Sequence, residues 1–518
     1  MRYSEEFTKL KSNVKEGALI ALRKKLLNGL RIGLNAVDPK HLIQKAISWK
    51  NDSNLKNNIL LIVGSSQEDY EQLVVDLDKY SSILVVGGGK ATAAMADALL
   101  NILGGRKKIK GSINIPHGQE WGEYISLERV PANQNTNSEI SNIEITYAGH
   151  PIPDSNGLKG TRKIVNMVKS SAENTLIFVL ISGGGSALMP LPKKPLSLAD
   201  LQTTNTLLLE SGADINEINS VRKHLSAFKG GNLAKKIHPR RGIALIISDV
   251  IGNPLDVIAS GPSVPDETVF QDALNTLRKY NILEDVPPRV KQVILNGTNG
   301  EIPENPKTND EIFSNMTNLI IGSAENAKAK MIEYFKSNSI RNITEIDNSY
   351  QLDLMKGEAK EYGVELAHQL QEIDGYLHKS NNRDVSNDDS PSRLHRRYFM
   401  INSGEFTVTI SGNGKGGRNQ EMLLGFLNEL SCKEIQYSSF KYTILSVAFD
   451  GIEGNSPAAG AIVDSETLQK IKEHSLNIRT YLKDNNSYNF FKKLGDAIEI
   501  GQTGTNTNDI CAIIIELI

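Results

Sequence analysis

Two cysteines in 518 residues, Cys432 and Cys511, are too few for a disulfide framework or a cysteine-built zinc site. A reducing, intracellular compartment suits such a chain. No run approaches the roughly 20 consecutive apolar residues that a membrane helix requires, and the longest apolar stretches are strand-sized. Excess charge is missing too. With 58 Lys and Arg against 60 Asp and Glu, nothing supplies the long-range attraction that draws a protein to nucleic acid or an anionic membrane. Any cationic site must be local, and the expected partners are small molecules. Residues 1–33 lack the compact apolar core of a secretory signal and carry Glu5, Glu6 and Glu16, unlike a transit peptide. They read as a structural helix in a cytoplasmic protein, their basic amphipathic character leaving a mitochondrial location open. No fixed-period repeat is present, which argues against a solenoid or propeller.

The chain is too long for one ordinary core, so two domains are expected. Apolar runs rich in Val, Ile and Leu (ILLIV near Leu61, SILVV near Leu84, TLIFVLI near Phe178, IALIIS near Leu245) alternate with helical patterns. Strands without polar alternation belong to a parallel sheet covered on both faces, which predicts a Rossmann-like α/β domain over 1–283 with a Pro-containing transition at 286–288. NLIIGSA (318–324), FTVTISG (406–412), YTILSVAFDG (442–451) and the terminal ICAIIIELI alternate more, predicting a smaller mixed-sheet α/β domain over 284–518. The segment 378–397 has almost no apolar content and reads as a disordered insertion; 133–142 is similar.

Chemistry is suggested where apolar runs stop at glycines. VVGGGKA ends a strand at Gly87, Gly88 and Gly89, presents Lys90 and opens a helix. Backbone amides at such a helix start form an anion site, to which the Lys90 ammonium adds a full charge. The plainer reading is a tight turn with a solvated lysine. Ala91 after Lys90 excludes the P-loop pattern, and Thr92 at the third glycine position weakens a dinucleotide reading. LISGGGSALM repeats the design with Ser182, Gly183, Gly184, Gly185 and Ser186, offering hydroxyls and amides without a charge. A nucleophilic Ser186 would need a base such as His150 or His224, and the G-x-S-x-G elbow is absent.

Between 218 and 239 stand Arg222, Lys223, His224, Lys229, Lys235 and Lys236, either a solvated basic helix face or a second anion-facing element. IALIISDVIGNPLD then ends a buried strand at Asp249, where a carboxylate can take a hydroxyl proton or hold magnesium, or simply cap a turn. In the C-terminal half, ISGNGKGGRNQE sets Gly414, Lys415, Gly416, Gly417 and Arg418 before a helix, a second phosphate cradle in which the Arg418 fork suits phosphate or carboxylate.

Taken in order, VVGGGKA, GHPIPD (149–154), LISGGGSALM, the segments 221–231 and 246–261, GNGKGGRNQE, AFDGIEG and GQTGTNTND resemble the class II glycerate kinases, the glycerate 2-kinase family with a MOFRL domain, over nearly the whole chain. That resemblance implies two α/β domains with an active site in the cleft between them, and transfer of the γ-phosphoryl group of ATP to the 2-hydroxyl of D-glycerate. It implies Lys90, Asp249 and Arg418 as catalytic residues, with phosphate or carboxylate held by Gly88, Gly89 and the 182–186 and 414–417 loops. Magnesium is expected with ATP, near Asp249 or Asp450; a homodimer is compatible with the sequence. Two departures bear on substrate preference: the asparagine-rich insertions and IPHGQE at 115–120, where a lysine is usual. An NAD(P)H-dependent hydroxypyruvate reductase and a catalytically silent nucleotide-binding regulator are the alternatives.

Overall fold

The computed structural model describes residues 4–49, 58–63, 71–104, 107–129, 139–345, 347–383, 397–505 and 507–518. The chain divides into two compact units, Pro39–Ser323 and Met1–Asp38 with Ala324–Ile518.

In Pro39–Ser323 a seven-stranded sheet runs in the order Met316–Gly322, Gly242–Ile247, Thr175–Ile181, Ser82–Gly88, Ile109–Pro116, Glu139–Ala148, Tyr124–Arg129. All neighbours are parallel except the last strand, which pairs antiparallel with Glu139–Ala148. Successive side chains of a strand point to opposite faces, and the sheet obeys this strictly. Ile83, Val85, Phe178, Leu180, Ile243 and Leu245 enter one core with Thr92–Leu103, while Leu84, Val86, Ile177, Val179, Ala244 and Ile246 enter another with Ser155–Ser170 and Asn232–Ile237. Both faces are therefore covered, which is why these strands carry no polar alternation. The strand order is that of a doubly wound sheet, reversing between Ser82–Gly88 and Thr175–Ile181. A helical layer of Leu198–Glu210, Ile215–His224, Phe270–Lys279 and Pro288–Thr298 has its own core around Leu208, Phe270 and Ile294.

The other unit carries a six-stranded mixed sheet, ordered Arg341–Asn342, Arg397–Gly404, Asp509–Leu517, Phe440–Ala448, Gly460–Asp464, Ala497–Ile498. Ala359–Arg383 and Arg418–Cys432 cover one face; Gly17–Ala36 and Ala324–Ser337 cover the other. The N-terminal helix is anchored by Arg23, fully buried, whose Nε meets Asp464 at 2.6 Å and whose Nη1 meets Asp496 at 2.7 Å.

Several expectations are corrected by pairing partners. The division differs from the one expected at Leu283 because Met316–Gly322 extends the parallel sheet beside Gly242–Ile247, and because Pro287 and Pro288 start a helix packed within the same helical layer. Residues 4–38 join the C-terminal unit through Arg23. ILLIV lies in Asn58–Val63, the middle of a separate three-stranded antiparallel sheet, since a short apolar run does not declare its partner. FTVTISG is loop apart from an isolated bridge at Thr407; the strand is Arg397–Gly404. Of the two insertions, 378–383 continues the helix Ala359–Arg383 and 139–142 begins the strand Glu139–Ala148, whereas 384–396 and 133–138 lie outside the described residues.

Candidate active site

The parallel register aligns Gly88, Ile181 and Ile246 across three neighbouring strands. Lys90, the 182–186 loop and Asp249 therefore emerge at the same carboxyl edge, on either side of the reversal in strand order, where open α/β sheets bind ligands. The strands that Lys90 and Asp249 follow are two positions apart in the sheet, with Thr175–Ile181 between them. Both side chains are half-buried. The structure thus brings together three of the predicted site elements.

The two glycine loops interlock, and this decides what each can offer. Gly89 adopts φ +151, and a Cβ there would lie 2.1 Å from Ser182 Oγ. Its amide donates to Asn114 O (3.1 Å), Lys90 N donates to Gly183 O (2.9 Å) and Ala91 N donates to Ser182 Oγ (2.9 Å). Gln119 Nε2 donates to Lys90 O at 2.6 Å and so helps to hold this turn. The first loop accordingly has its amides engaged from Gly89 to Ala91, and its contribution is the Lys90 side chain rather than the backbone cradle expected at Gly89. Ser182 is buried, its hydroxyl spent on Ala91 and 3.3 Å from Thr92 Oγ1. It clamps the loops together.

The second loop is the open one. Among the described residues the amides of Gly183, Gly184 and Ser186 have no acceptor, while Gly185 N donates to Ser182 O. Gly184 takes φ +83, and a side chain there would meet the His150 ring at 2.9 Å. Ser186 Oγ lies 3.0 Å from Ser260 Oγ, whose proton goes to Asn219 Oδ1 at 3.0 Å. Of the two candidate bases for a nucleophilic Ser186, His224 is already engaged, buried between Ser220 O (2.7 Å) and Glu304 (2.9 Å).

The basic segment is not a solvated face. Lys223 is 2% exposed and paired with Asp256 at 3.0 Å and buried Asp266 at 3.3 Å. Lys236 donates to Ala227 O and Asn232 O, and burial pushes its ammonium down to about 8. Burial, helped by the nearby Arg222 charge, pushes Lys229 down to about 7. Sequence reasoning missed Asn219 and Ser260, which carry no motif of their own; the non-glycine left-handed turn at Ala259 (φ 50) and Ser260 (φ 60) marks them only once folded.

In the C-terminal unit the loop 411–417 departs from the cradle expected of it. Asn485 Oδ1 accepts from Ser411 N and Gly412 N, Asp484 from Asn413 N and Gly414 N, Asn486 Oδ1 from Lys415 N, and Asn455 Oδ1 from Gly416 N. Every amide from Ser411 to Gly416 is thereby occupied by the protein. The glycines are explained by close approach: a Cβ on Gly414 would stand 2.4 Å from Asp484 O, and one on Gly416 2.2 Å from Ser487 Oγ. Gly417 likewise leaves room for Glu453, whose side chain would be 2.3 Å from a Cβ. Lys415 is exposed, its ammonium 5.4 Å from the Tyr488 ring centre.

The helix Arg418–Cys432 starts against that same glutamate. Glu453 accepts from Asn419 N (2.7 Å), Gln420 N (3.0 Å) and both amide side chains, so a protein carboxylate fills the positive helix end. Burial, reinforced by the Asp509 charge, pushes Glu453 up to about 7 although the Asn419 amide opposes it. Arg418 forks onto buried Asp509, Nη2 to Oδ1 at 2.8 Å, and gives Nη1 to exposed Glu405. Burial works against its charge, but the Asp509 hydrogen bonds and charge outweigh it and raise its pKa. The fork is thus already engaged. Among the described residues no three His, Cys, Asp or Glu side chains converge as a metal cage. A single carboxylate sharing magnesium with phosphate oxygens, as Asp249 could, is the arrangement such a donor set fits. The Asp450 carbonyl accepts from Thr503 N at 3.0 Å.

A doubly wound sheet with two glycine loops astride its reversal, a lysine on one and an aspartate on the next strand, defines an α/β enzyme that handles small anions. The sequence pattern of a domain of unknown function, DUF4147, matches residues 25–295, and that of the MOFRL family matches 398–509. The glycerate 2-kinase of Pyrococcus horikoshii is 34% identical over 496 residues, 94% of this chain and 96% of that protein. The D-glycerate 2-kinase of Thermotoga maritima is 37% identical over 432 residues, 83% of this chain and 89% of its own. A crystal structure of glycerate kinase from Thermotoga maritima superposes with a TM-score of 0.69 at 31% identity, covering 96% of this chain and all of that one. The chain belongs to this glycerate kinase family, which joins a DUF4147 domain to a MOFRL domain. No helix among the described residues is long and apolar enough to cross a membrane.

Proposed function

We propose that this protein is a glycerate 2-kinase that transfers the γ-phosphoryl group of ATP to the 2-hydroxyl of D-glycerate, giving 2-phosphoglycerate and ADP. The observation that carries the reading is the alignment of Lys90, the open amides of Gly183, Gly184 and Ser186, and Asp249 at the carboxyl edge of three adjacent strands.

Phosphoryl transfer asks the protein mainly for positioning and for charge that follows the moving group. Asp249 orients the 2-hydroxyl and accepts its proton as the oxygen bonds to the γ-phosphorus. The bond from that phosphorus to the β,γ-bridging oxygen breaks, and ADP leaves with the electron pair. Lys90 neutralises charge on the transferring oxygens, and the amides of Gly183, Gly184 and Ser186 hold an oxyanion in place. In the other unit, Arg418 presents a guanidinium whose plane Asp509 fixes and whose exposed partner Glu405 an anion can replace. Magnesium would enter with the nucleotide and offset its phosphate charge; Asp249 would hold it only in place of its role as base, and Asp450 is the other candidate ligand.

The test is ADP release with D-glycerate, L-glycerate and glycerol side by side, with NADH and hydroxypyruvate as a further arm. Turnover with D-glycerate and none with glycerol is expected. Oxidation of NADH by hydroxypyruvate without ADP formation from glycerate would replace the reading with a reductase.

A further inference from the structure

Most of the basic side chains that the segment 222–236 buries have been given partners by the fold, and one has not. Lys223 faces Asp256 and Asp266, His224 faces Glu304, and Lys236 faces two carbonyls. Lys229 is 7% exposed, and among the described residues its ammonium makes no hydrogen bond or ion pair. Arg222, close enough to lower the Lys229 pKa, gives Nε to Asn205 at 2.9 Å and meets no carboxylate among the described residues. One helical turn before it, on the same face, Asn219 is 3% exposed and its Nδ2 is buried without an acceptor. Donors left this way are rare in folded proteins and call for a ligand or water.

These groups adjoin the catalytic edge. Gly230, directly after Lys229, donates its amide to Ser260 O at 3.0 Å. Ser260 Oγ in turn links Asn219 Oδ1 and Ser186 Oγ, each at 3.0 Å, and Ser186 belongs to the open glycine loop. The turn presenting Ser260 holds two consecutive non-glycine residues at positive φ, a conformation that persists only when its surroundings enforce it.

We propose that Lys229, Arg222 and the Asn219 amide, with the Ser260 and Ser186 hydroxyls, form the subsite that takes the carboxylate and a neighbouring hydroxyl of the acceptor acid. The assignment rests on the kinase reading above for the identity of that acid. Two cations and an amide donor match a carboxylate, and the hydroxyl relay matches a polyhydroxy acid better than it matches a triphosphate. A bound carboxylate also compensates the burial that holds Lys229 down to about 7.

The experiment titrates the full chain calorimetrically with D-glycerate and, separately, with a magnesium complex of a non-hydrolysable ATP analogue. Wild type is compared with Lys229→Met, Asn219→Leu and Asn219→Asp, the last being nearly the same shape and placing a negative charge against the carboxylate. Each variant should weaken D-glycerate binding about 10- to 100-fold and leave nucleotide binding within about twofold. In steady state the loss should fall on KM for glycerate, with KM for ATP unmoved. Unchanged glycerate binding in Lys229→Met and Asn219→Asp overturns the subsite, as does a loss confined to the nucleotide. Glycerate binding that needs these residues in a protein without turnover would sink the kinase reading and keep the subsite; normal turnover with unaffected variants would do the reverse.

Discussion

Two glycine-rich loops that look alike in sequence do opposite work in the folded chain. At 182–186 the backbone turns its amides outward at a sheet edge, and three of them have no acceptor among the described residues. At 411–417 the glycines exist so that the loop can press against residues 484–487 and 453–455, whose oxygens take the amides one by one. The first arrangement leaves donors for a ligand; the second uses them to build a support on which Arg418 and its helix begin. A glycine cluster is thus evidence of close approach, and only the identity of what approaches separates a binding loop from a packed one.

Breaking each loop separately sharpens that contrast. The largest effect is expected at Lys90, where Lys90→Ala should lower kcat by roughly 10²- to 10³-fold, the usual cost of removing a preorganised transition-state donor. Its unfolding midpoint should stay near wild type, because the turn itself is held by the backbone bonds of Gly89, Lys90 and Ala91. A normal kcat would strip Lys90 of its role. Next, Gly414→Ala drives a methyl into the Asp484 carbonyl and should cost about 1–3 kcal/mol of stability in denaturant titrations, with kcat of the folded fraction nearly intact. Intact stability with lost turnover would make 411–417 a ligand loop after all.

The smallest effect concerns pH. Glu453 has its folded pKa raised to about 7 from the ordinary 4.5, so the folded state binds more protons than the unfolded state between those values. Its contribution is complete below pH 4.5 and is lost as pH rises through about 7. Removing the titration in Glu453→Gln should therefore flatten the fall in stability across that window relative to wild type. Equal slopes for the two proteins would refute it.

Much of the site was legible because its signals are local. A strand ending in glycines before a helix needs only neighbouring residues to be recognised, which is why Lys90, the 182–186 loop and Asp249 could be placed at strand ends in advance. Lys229 was visible only as one charge in a basic run; its neighbours Lys223 and His224 find their partners far along the chain, at 256, 266 and 304. Asn219 and Ser260 carry no pattern at all, and their connection joins a helix to a turn 41 residues later. The unit boundary failed for the same reason, since Arg23 finds Asp464 more than 400 residues away.

The sequence alone settled that SILVV, TLIFVLI and IALIIS are strands buried on both faces, where those strands end, and that positive charge would be concentrated locally, because periodicity and glycine placement act over a few residues. Tertiary structure alone decided which glycine loop keeps its amides open, which cations are neutralised, and which helix belongs to which core. Those outcomes depend on partners distant in the chain, and hydrogen-bond satisfaction is a property of the completed neighbourhood rather than of the residue.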